Sequence, residues 1–469
     1  MLKHYAYRAP FLEKWNKRML KSSDAEKGLF DDRAEKAMHD MHMTFEYSNS
    51  YRSIYSYDKL RDGLDAFSSA PREGRRKLTS GARFADRIFA NHTPHKLQAL
   101  RLDDPQLYKL ADIKGEKSAG LTSYGKTKQE AWDEALRLAI LIVTEGKAPH
   151  PCLTGTRTQK NGKTRVIWSY PEEVMILESL LARPLIKHFS RDAHGVMAIS
   201  KTSEQMGSRF NQITAESPIV TGIDQSQFDA HVKASHIHMS FNILRTWFDL
   251  EQEVYPDVTV REVFDFVERY FITTPLVFPS PQGPSLVLGK VGGVPSGSYF
   301  TQMIDSIVNY AIISDALVHL GVSFKKEHLF VLGDDSLIFT REKPNLRAIS
   351  QHLAELGYKA HGPEKSGQWH YRQGFEFLGR RWVNFKPVRS VQDIADRALY
   401  PERWRSYDKD VWLIDAERLV RSYGLTAYIQ DHSFDRGNIF VNPENNSGYI
   451  QFLARMGLLP NSVQAMTLW

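Results

Sequence analysis

Asp224 ends an apolar run, SPIVTGID, and Asp334 and Asp335 stand side by side between two others, in LFVLGDDSLIF. Carboxylates are the ligands that hard divalent cations prefer, and Mg²⁺ typically takes only a few of them from protein. A pair of such cations suits nucleotidyl transfer: one lowers the pKa of an attacking hydroxyl and the other holds the departing pyrophosphate. That reaction asks little covalent help of the protein. It needs in-line positioning and neutralisation of phosphate charge. These aspartates can supply the ligands only if the strands that carry them are neighbours in one sheet.

Gly333-Asp334-Asp335 alone decides nothing. Average composition yields the tripeptide by chance in roughly one chain in ten of this length. Asp-Gly turns also place carboxylates at hairpin tips for local hydrogen-bonding reasons. The neighbours, read in order, carry more weight. A further aspartate, Asp229, follows Asp224 in GIDQSQFDA, and GGVPSGSYFTQMIDSIVN lies between the two carboxylate sites. Upstream, residues 146–171 are rich in Gly, Pro, Thr, Lys and Arg and contain no acidic residue.

The elements that must position these groups follow from periodicity. KQEAWDEALRLAILIV predicts an amphipathic helix over 128–143, and a second is expected over 172–189. Asp224 closes a strand, and Ile237, Phe241, Leu244 and Phe248 recur at helical spacing, so a helix follows Asp229. The two apolar runs hinged at Gly333-Asp334 predict a hairpin with both carboxylates at its tip. Pro344 starts a helix with Leu346, Ile349, Leu353 and Leu356 on one face, stopped by Gly357. FEFLGRRWVNF predicts a second hairpin, and the tail from about Lys386 is expected to be mostly helical.

The chain of 469 residues is 42% hydrophobic and 25% charged, ordinary for a folded protein, with a net charge of +6 that favours an anionic partner. Its single cysteine, Cys152, excludes an intramolecular disulfide and a thiolate-rich zinc site. No apolar stretch reaches the roughly 20 residues of a membrane span, and none near the start has signal-peptide character. No Walker-type loop, HExxH or histidine pair sharing a helix face is present, since His236 and His238 lie two apart. None of the 17 histidines is expected to be catalytic. PREGRRKLTSGAR, with Arg72, Arg75, Arg76, Lys77 and Arg83, reads equally as a solvated loop or an RNA-contacting patch.

In their order, the D-x4-D, the VPSGSYFTQMIDSIVN segment and the GDD hairpin resemble palm motifs A, B and C of viral RNA-dependent RNA polymerases. The likeness is closest to the partitivirus and picobirnavirus-like enzymes of small double-stranded RNA viruses and covers about residues 117–389. It implies an α+β right hand of fingers, palm and thumb, with a small antiparallel palm sheet backed by helices. The implied limits are 1–220 for an N-terminal extension and fingers, 221–385 for the palm with a fingers insertion at about 249–290, and 386–469 for the thumb. It also implies replication and transcription of a viral RNA genome, with two Mg²⁺ ions that Mn²⁺ can replace. The implied partners are template and product RNA, NTPs and a viral capsid protein; the implied place is the virion interior and host cytoplasm, with no membrane.

By resemblance, Asp224, Asp334 and Asp335 are metal ligands and Asp229 senses the ribose 2′-hydroxyl, a group that a carboxylate can accept a hydrogen bond from. Ser296 and Gly297 match the loop before the motif B helix, on which Thr301, Asp305 and Asn309 share one face. In the picornavirus-type pattern an Asn stands where Asp305 stands here. The partner of Asp229 is therefore open between Asp305 and Asn309, with Asn309 favoured because an Asp–Asp contact would need a proton or a cation. GTRTQKNGKTRVIWSYP resembles motif F, whose Arg157, Lys160, Lys163 and Arg165 would line the triphosphate site. Ser118, Ala119 and Gly120 resemble the template-entrance motif G. GYKAHGPEKSG resembles motif D, with Lys365 as the general acid for pyrophosphate, and FLGRRWVNF resembles motif E. A reverse transcriptase shares this palm, but Gly333 and Asp229 argue against it. A catalytically dead RNA-binding or capsid-linked scaffold would have no reason to keep Asp224, Asp334, Asp335 and Lys365 together.

Overall fold

Four short segments build the sheet on which the aspartates ride. In the computed structural model, which describes residues 2–403 except 25–26, 41–43, 70–73, 193 and 389, these segments form one antiparallel sheet. Its strands run in the order Gly367–His370, Ile219–Gly222, Asp335–Thr340, Leu329–Leu332. Side chains alternate across it, as strand geometry requires. Val220, Phe330, Leu337 and Phe339 enter one apolar cluster with Phe210, Phe375, Phe377 and Trp382. Leu329, Val331 and Ile338 enter the main core on the other face.

Against that second face lies the helix Thr301–His319, buried without a break from Met303 to Leu317. A helix apolar on all sides is stable only when surrounded. Here the sheet covers one side and the helix Ser80–Phe89 the other. Each fully buried Leu, Ile or Phe at this interface contributes roughly 1.5–3 kcal/mol relative to exposure.

A second sheet of five strands has the order Lys3–Ala6, Ser285–Leu288, Leu276–Phe278, Cys152–Gln159, Lys163–Ser169. The acid-free stretch is thus a long hairpin, with Arg157 opposite Arg165 and Gln159 opposite Lys163. Strands from within 249–290 pair with it, and Leu276 runs parallel to Cys152.

The expected helices form with shifted ends. The first runs Lys128–Glu145, opened by a Thr127–Glu130 capping box and closed by left-handed Gly146. The second runs Glu172–Arg191. The helix assigned to Pro344 spans Leu346–Glu355, because the Asn345 side chain accepts the Ala348 N–H and sets the cap one residue later. After Asp224 the structure has two helices, Phe228–His231 and Ala234–Arg245, so Asp229 lies within the first rather than before a helix. The break is stabilised by Lys233, whose ammonium donates to the His231 carbonyl (2.9 Å), and by the Gly293 N–H on the Val232 carbonyl (2.7 Å).

The second hairpin, Phe375–Phe377 with Arg380–Val383, gains a third strand, Lys386–Val388. A helix Val391–Leu399 follows. The rest of the tail, from 404 on, lies outside the described residues, as does Arg72 of the basic segment. Within that segment Arg76 is tied to Glu355 (2.9 Å), and the Thr79 and Gly81 N–H groups donate to Asp315. Among the described residues no helix is long and apolar enough to cross a membrane.

Candidate active site

The strand register brings the aspartates together. Leu337 pairs with Gly222 in antiparallel strands, so two further residues set Asp335 opposite Asp224. Asp335 also pairs with Leu332, leaving Gly333-Asp334 as a two-residue turn. Gly333 sits at φ +63°, a conformation that a side chain would strain. All three carboxylates touch solvent, but Asp334 and Asp335 do so from a cleft crowded by protein on their other sides. That desolvation, with the negative charges of Asp334 and Asp224, pushes Asp335 up to about 7. Asp334 is raised too, chiefly by burial, with Arg165 and Lys163 acting against the shift.

The turn is held from beneath by the long helix. Ser306 accepts the Gly333 N–H (2.9 Å), and the Asn309 amide donates to the carbonyls of Gly333 (3.0 Å) and Asp335 (3.3 Å). The Asn309 oxygen accepts from Gln225 (2.7 Å), the residue after Asp224. Both amide hydrogens, the ones a carboxylate would need, are thereby used, so in place of the expected contact with Asp229, Asn309 ties the turn to the Asp224 strand.

Asp305, one turn earlier, is close enough to Asp229 to feel its charge. It is 3% exposed, one of its oxygens has no partner, and its carboxyl is pushed well above the usual range by burial, then by Asp229 and Asp334. Asp229 itself is raised to about 6 by burial and the Asp334 charge, against the attraction of Arg165. Its backbone carbonyl accepts the Val294 N–H (2.8 Å), which seats it against the Gly-rich loop.

That loop is clamped to the basic hairpin. The Ser296 hydroxyl donates to the Val166 carbonyl (3.1 Å), and its carbonyl accepts from Trp168 N–H (3.0 Å). A Cβ on Gly297 would lie 2.0 Å from the Trp168 carbonyl oxygen, and φ there is +132°, so only glycine fits. Thr301 donates to the Pro295 carbonyl (2.8 Å). Buried Glu178 accepts from the Ser298 hydroxyl (2.6 Å) and the Tyr299 N–H (2.8 Å), holding the loop from the far side.

The expected cationic lining divides. Lys163 and Arg165 face the carboxylates: Lys163 is held below its usual range by partial desolvation and by Arg165, against the attraction of Asp334 and Asp224. Arg157 and Lys160 instead turn toward the chain beyond the second hairpin, Lys160 to Asp396 (2.6 Å) and Arg157 near Glu402 (3.9 Å). Ser118, Ala119 and Gly120 lie farther out, in a turn where Ala119 N–H donates to the Lys126 carbonyl (3.1 Å). Lys365 is exposed on a loop stitched to Asp224. The Asp224 N–H donates to Ser366 (3.2 Å), and its carbonyl accepts the His361 N–H (2.9 Å).

His361, with Nε2 3.6 Å from an Asp224 oxygen, was passed over with the other histidines. Gln225, Ser306, Ser366 and Glu178 were also missed. All but Glu178 lie inside the quoted motifs, yet their roles depend on contacts across strands that spacing does not show. Of the histidines named earlier, His236 meets the Tyr358 hydroxyl (2.6 Å) and His238 meets Glu268, both away from the site.

Among the described residues no three His, Cys, Asp or Glu side chains converge as a ready metal cage. The donor set nonetheless fits Mg²⁺, which completes its octahedron with water and substrate phosphate and needs few protein carboxylates. Asp224, Asp334 and Asp335 are hard oxygen donors open to solvent, and their mutual repulsion is what a cation would relieve.

The profile of a family described as viral RNA-dependent RNA polymerase matches residues 149–428. The chain is 32% identical over 248 residues to the RNA-directed RNA polymerase of Cryptosporidium parvum virus 1 (strain KSU-1), covering 47% of this chain and 42% of that one. It is 29% identical over 187 residues to the RNA-directed RNA polymerase of Atkinsonella hypoxylon virus (isolate 2H), covering 37% and 26%. It therefore spans less than half the length of these curated relatives. The crystal structure of the RNA-dependent RNA polymerase of a human picobirnavirus superposes with a TM-score of 0.65 at 15% identity, covering 89% of this chain and 84% of that one. At that identity the likeness concerns the fold, which is the α+β right hand of a polymerase.

Proposed function

The chain belongs to the viral RNA-dependent RNA polymerases, and from that premise we propose that it extends RNA on an RNA template, replicating and transcribing a small double-stranded RNA virus genome. The observation that carries this reading is the pairing of the Asp224 strand with the Asp334–Asp335 hairpin beneath Lys163 and Arg165. Asp224 and Asp334, with Asp335 beside them, would hold two Mg²⁺ ions, which Mn²⁺ can replace. When bound, these ions neutralise triphosphate charge and make the 3′-hydroxyl a better nucleophile.

The chain's own residues do the rest. Lys163 and Arg165 draw the triphosphate into line, the guanidinium suiting bidentate phosphate contact. Asp229 accepts a hydrogen bond from the ribose 2′-hydroxyl, and the Ser296-Gly297 loop with Thr301 lets backbone approach the nascent pair. Asn309 acts through the catalytic turn, and Lys365 protonates the leaving pyrophosphate. Arg157 and Lys160 serve to close the hand over the channel, and Ser118, Ala119 and Gly120 line template entry. The proposed limits are 1–220 for extension and fingers, 221–385 for palm with its insertion at 249–290, and 386–469 for thumb. A capsid protein is the proposed partner, with the virion interior and host cytoplasm as the place of action and no role for a membrane.

The test is primer extension by the full chain on an RNA template with Mg²⁺, comparing NTPs and dNTPs. NTP incorporation supports the proposal. A preference for dNTPs would make the protein a reverse transcriptase, and folded protein inert with both would make it a scaffold.

A further inference from the structure

Phe11 and Tyr124 are large aromatic side chains left in water, 56% and 39% exposed, and they face each other with ring centroids 5.4 Å apart. Neither is a loose appendage. Phe11 lies in the turn Pro10–Leu12, between buried Leu12 and the strand Lys3–Ala6 that joins the fingers sheet. Tyr124 tips the turn closed by the Ser118–Thr127 bridge and by Lys126 N–H on the Ser123 carbonyl (3.1 Å). That turn is pinned from below, where Thr122 accepts the Glu172 N–H (2.7 Å) and bonds to Glu173. Two rigid supports from separate parts of the sequence thus present a pair of rings that the core does not use.

Exposed cations adjoin both supports: Arg8 and Lys14 flank Phe11, and Lys117 and Lys126 stand at the base of the Tyr124 turn. The nearby carboxylates are Glu13 and Glu116, and Glu116 is already met by Lys117 (3.4 Å). Exposed aromatics interleaved with positive charge form the surface that single-stranded nucleic acid binds without reading sequence, each ring stacking a base and each cation meeting a phosphate. The same turn carries Ser118, Ala119 and Gly120 and packs on Tyr170 and Pro171, just past the strand that holds Arg165 over the carboxylates. Tyr170 lies five residues of extended chain, about 17 Å, from Arg165, and the ledge sits on the turn that packs there. It is too far to touch the reacting atoms and well placed for template not yet copied.

We propose that the Phe11–Tyr124 pair is a stacking ledge that grips single-stranded template RNA before it enters the channel. This rests on the polymerase reading above. The rings supply sequence-independent stacking, Arg8, Lys14 and Lys126 supply charge, and the strand arrives unpaired at Ser118–Gly120.

The experiment measures binding by fluorescence anisotropy, and extension, for the full chain with two primer–template RNA hybrids. Their unpaired 5′ template overhangs are about two and about twelve nucleotides, the longer one within the span of known single-strand sites. Replacing both rings, Phe11→Ala with Tyr124→Ala, weakens binding of the long-overhang hybrid by roughly five- to a hundredfold and leaves the short one unchanged. Phe11→Tyr and Tyr124→Phe, which keep the rings, bind both as the wild type does. Equal loss on both hybrids, or no loss on either, overturns the ledge. So does a double variant that binds both RNAs normally and instead loses capsid-protein binding. Wild-type protein that binds in an overhang-dependent way but extends neither hybrid counts against the polymerase reading and not against the ledge.

Discussion

Sugar choice should depend on Asp305 and not on Asn309, although both lie on the same face of one helix. Asp229 can only accept a hydrogen bond, and an NTP offers one from its 2′-hydroxyl where a dNTP offers none. Something must hold that carboxylate toward the ribose. Asn309 is committed to Gln225 and to the Gly333 and Asp335 carbonyls. Asp305 is buried, carries an unpartnered oxygen and is pushed well above the usual carboxyl range, which favours the protonated form that can donate. A neutral carboxyl there can do what an amide does in related sequences.

The cost of leaving Asp229 unpaired beside a dNTP is about 1–3 kcal/mol, or roughly five- to a hundredfold discrimination. Asp305→Leu should lose most of that discrimination and Asp305→Asn should keep it. Asn309→Ala removes three hydrogen bonds and orphans two carbonyls. It should therefore cost about 2–4 kcal/mol of stability and slow NTP and dNTP alike. Single-nucleotide kcat/KM values for each sugar, with Tm measured alongside, separate the two effects. If Asn309→Ala changes the NTP/dNTP ratio while Asp305→Leu does not, the assignment is refuted. If neither changes it, and Asp229→Ala does not either, Asp229 does not sense the sugar.

Asp334→Asn should lower NTP incorporation by roughly three decades or more while circular dichroism stays unchanged, and Asp335→Asn should be milder; near-normal incorporation by folded Asp334→Asn would sink the ligand assignment. Gly297→Ala should impair folding or activity severely, because its Cβ would meet the Trp168 carbonyl at 2.0 Å; wild-type Tm and rate would show that the loop relaxes. Glu178 has its carboxyl raised to about 8 by burial, while an unfolded Glu titrates near 4.3. The folded state then binds more protons, so its contribution is full below about 4.3 and is lost as pH rises through about 8. Between pH 5 and 9 the Tm of wild type should accordingly fall more than that of Glu178→Gln; parallel curves would contradict it. RNA affinity should fall steeply with salt, and Lys163→Ala should reduce the log–log slope by about one unit; an unchanged slope would place Lys163 off the phosphate path.

By itself the sequence determined the elements and the chemistry they carry. Short apolar runs marked the Asp224 strand and the Gly333-Asp334 hairpin, because strands covered on both faces read as continuous apolar segments. Period-3.6 patterning marked helices over 128–143 and 172–189, which form with ends two residues later, since it reflects forces within a few residues. The carboxylates, the lack of acid in 146–171 and the family likeness likewise came from residue type and order. Tertiary structure alone decided which side chains meet. It gave Asn309 to the Gly333-Asp334 turn, buried Asp305 within reach of the Asp229 charge, sent Lys160 to Asp396 and brought His361 to Asp224. It also set Phe11, well upstream in the sequence, against Tyr124. Such contacts join residues tens to hundreds of positions apart, and helical facing admits Asp305 and Asn309 equally; only packing of the long helix under the sheet selects between them.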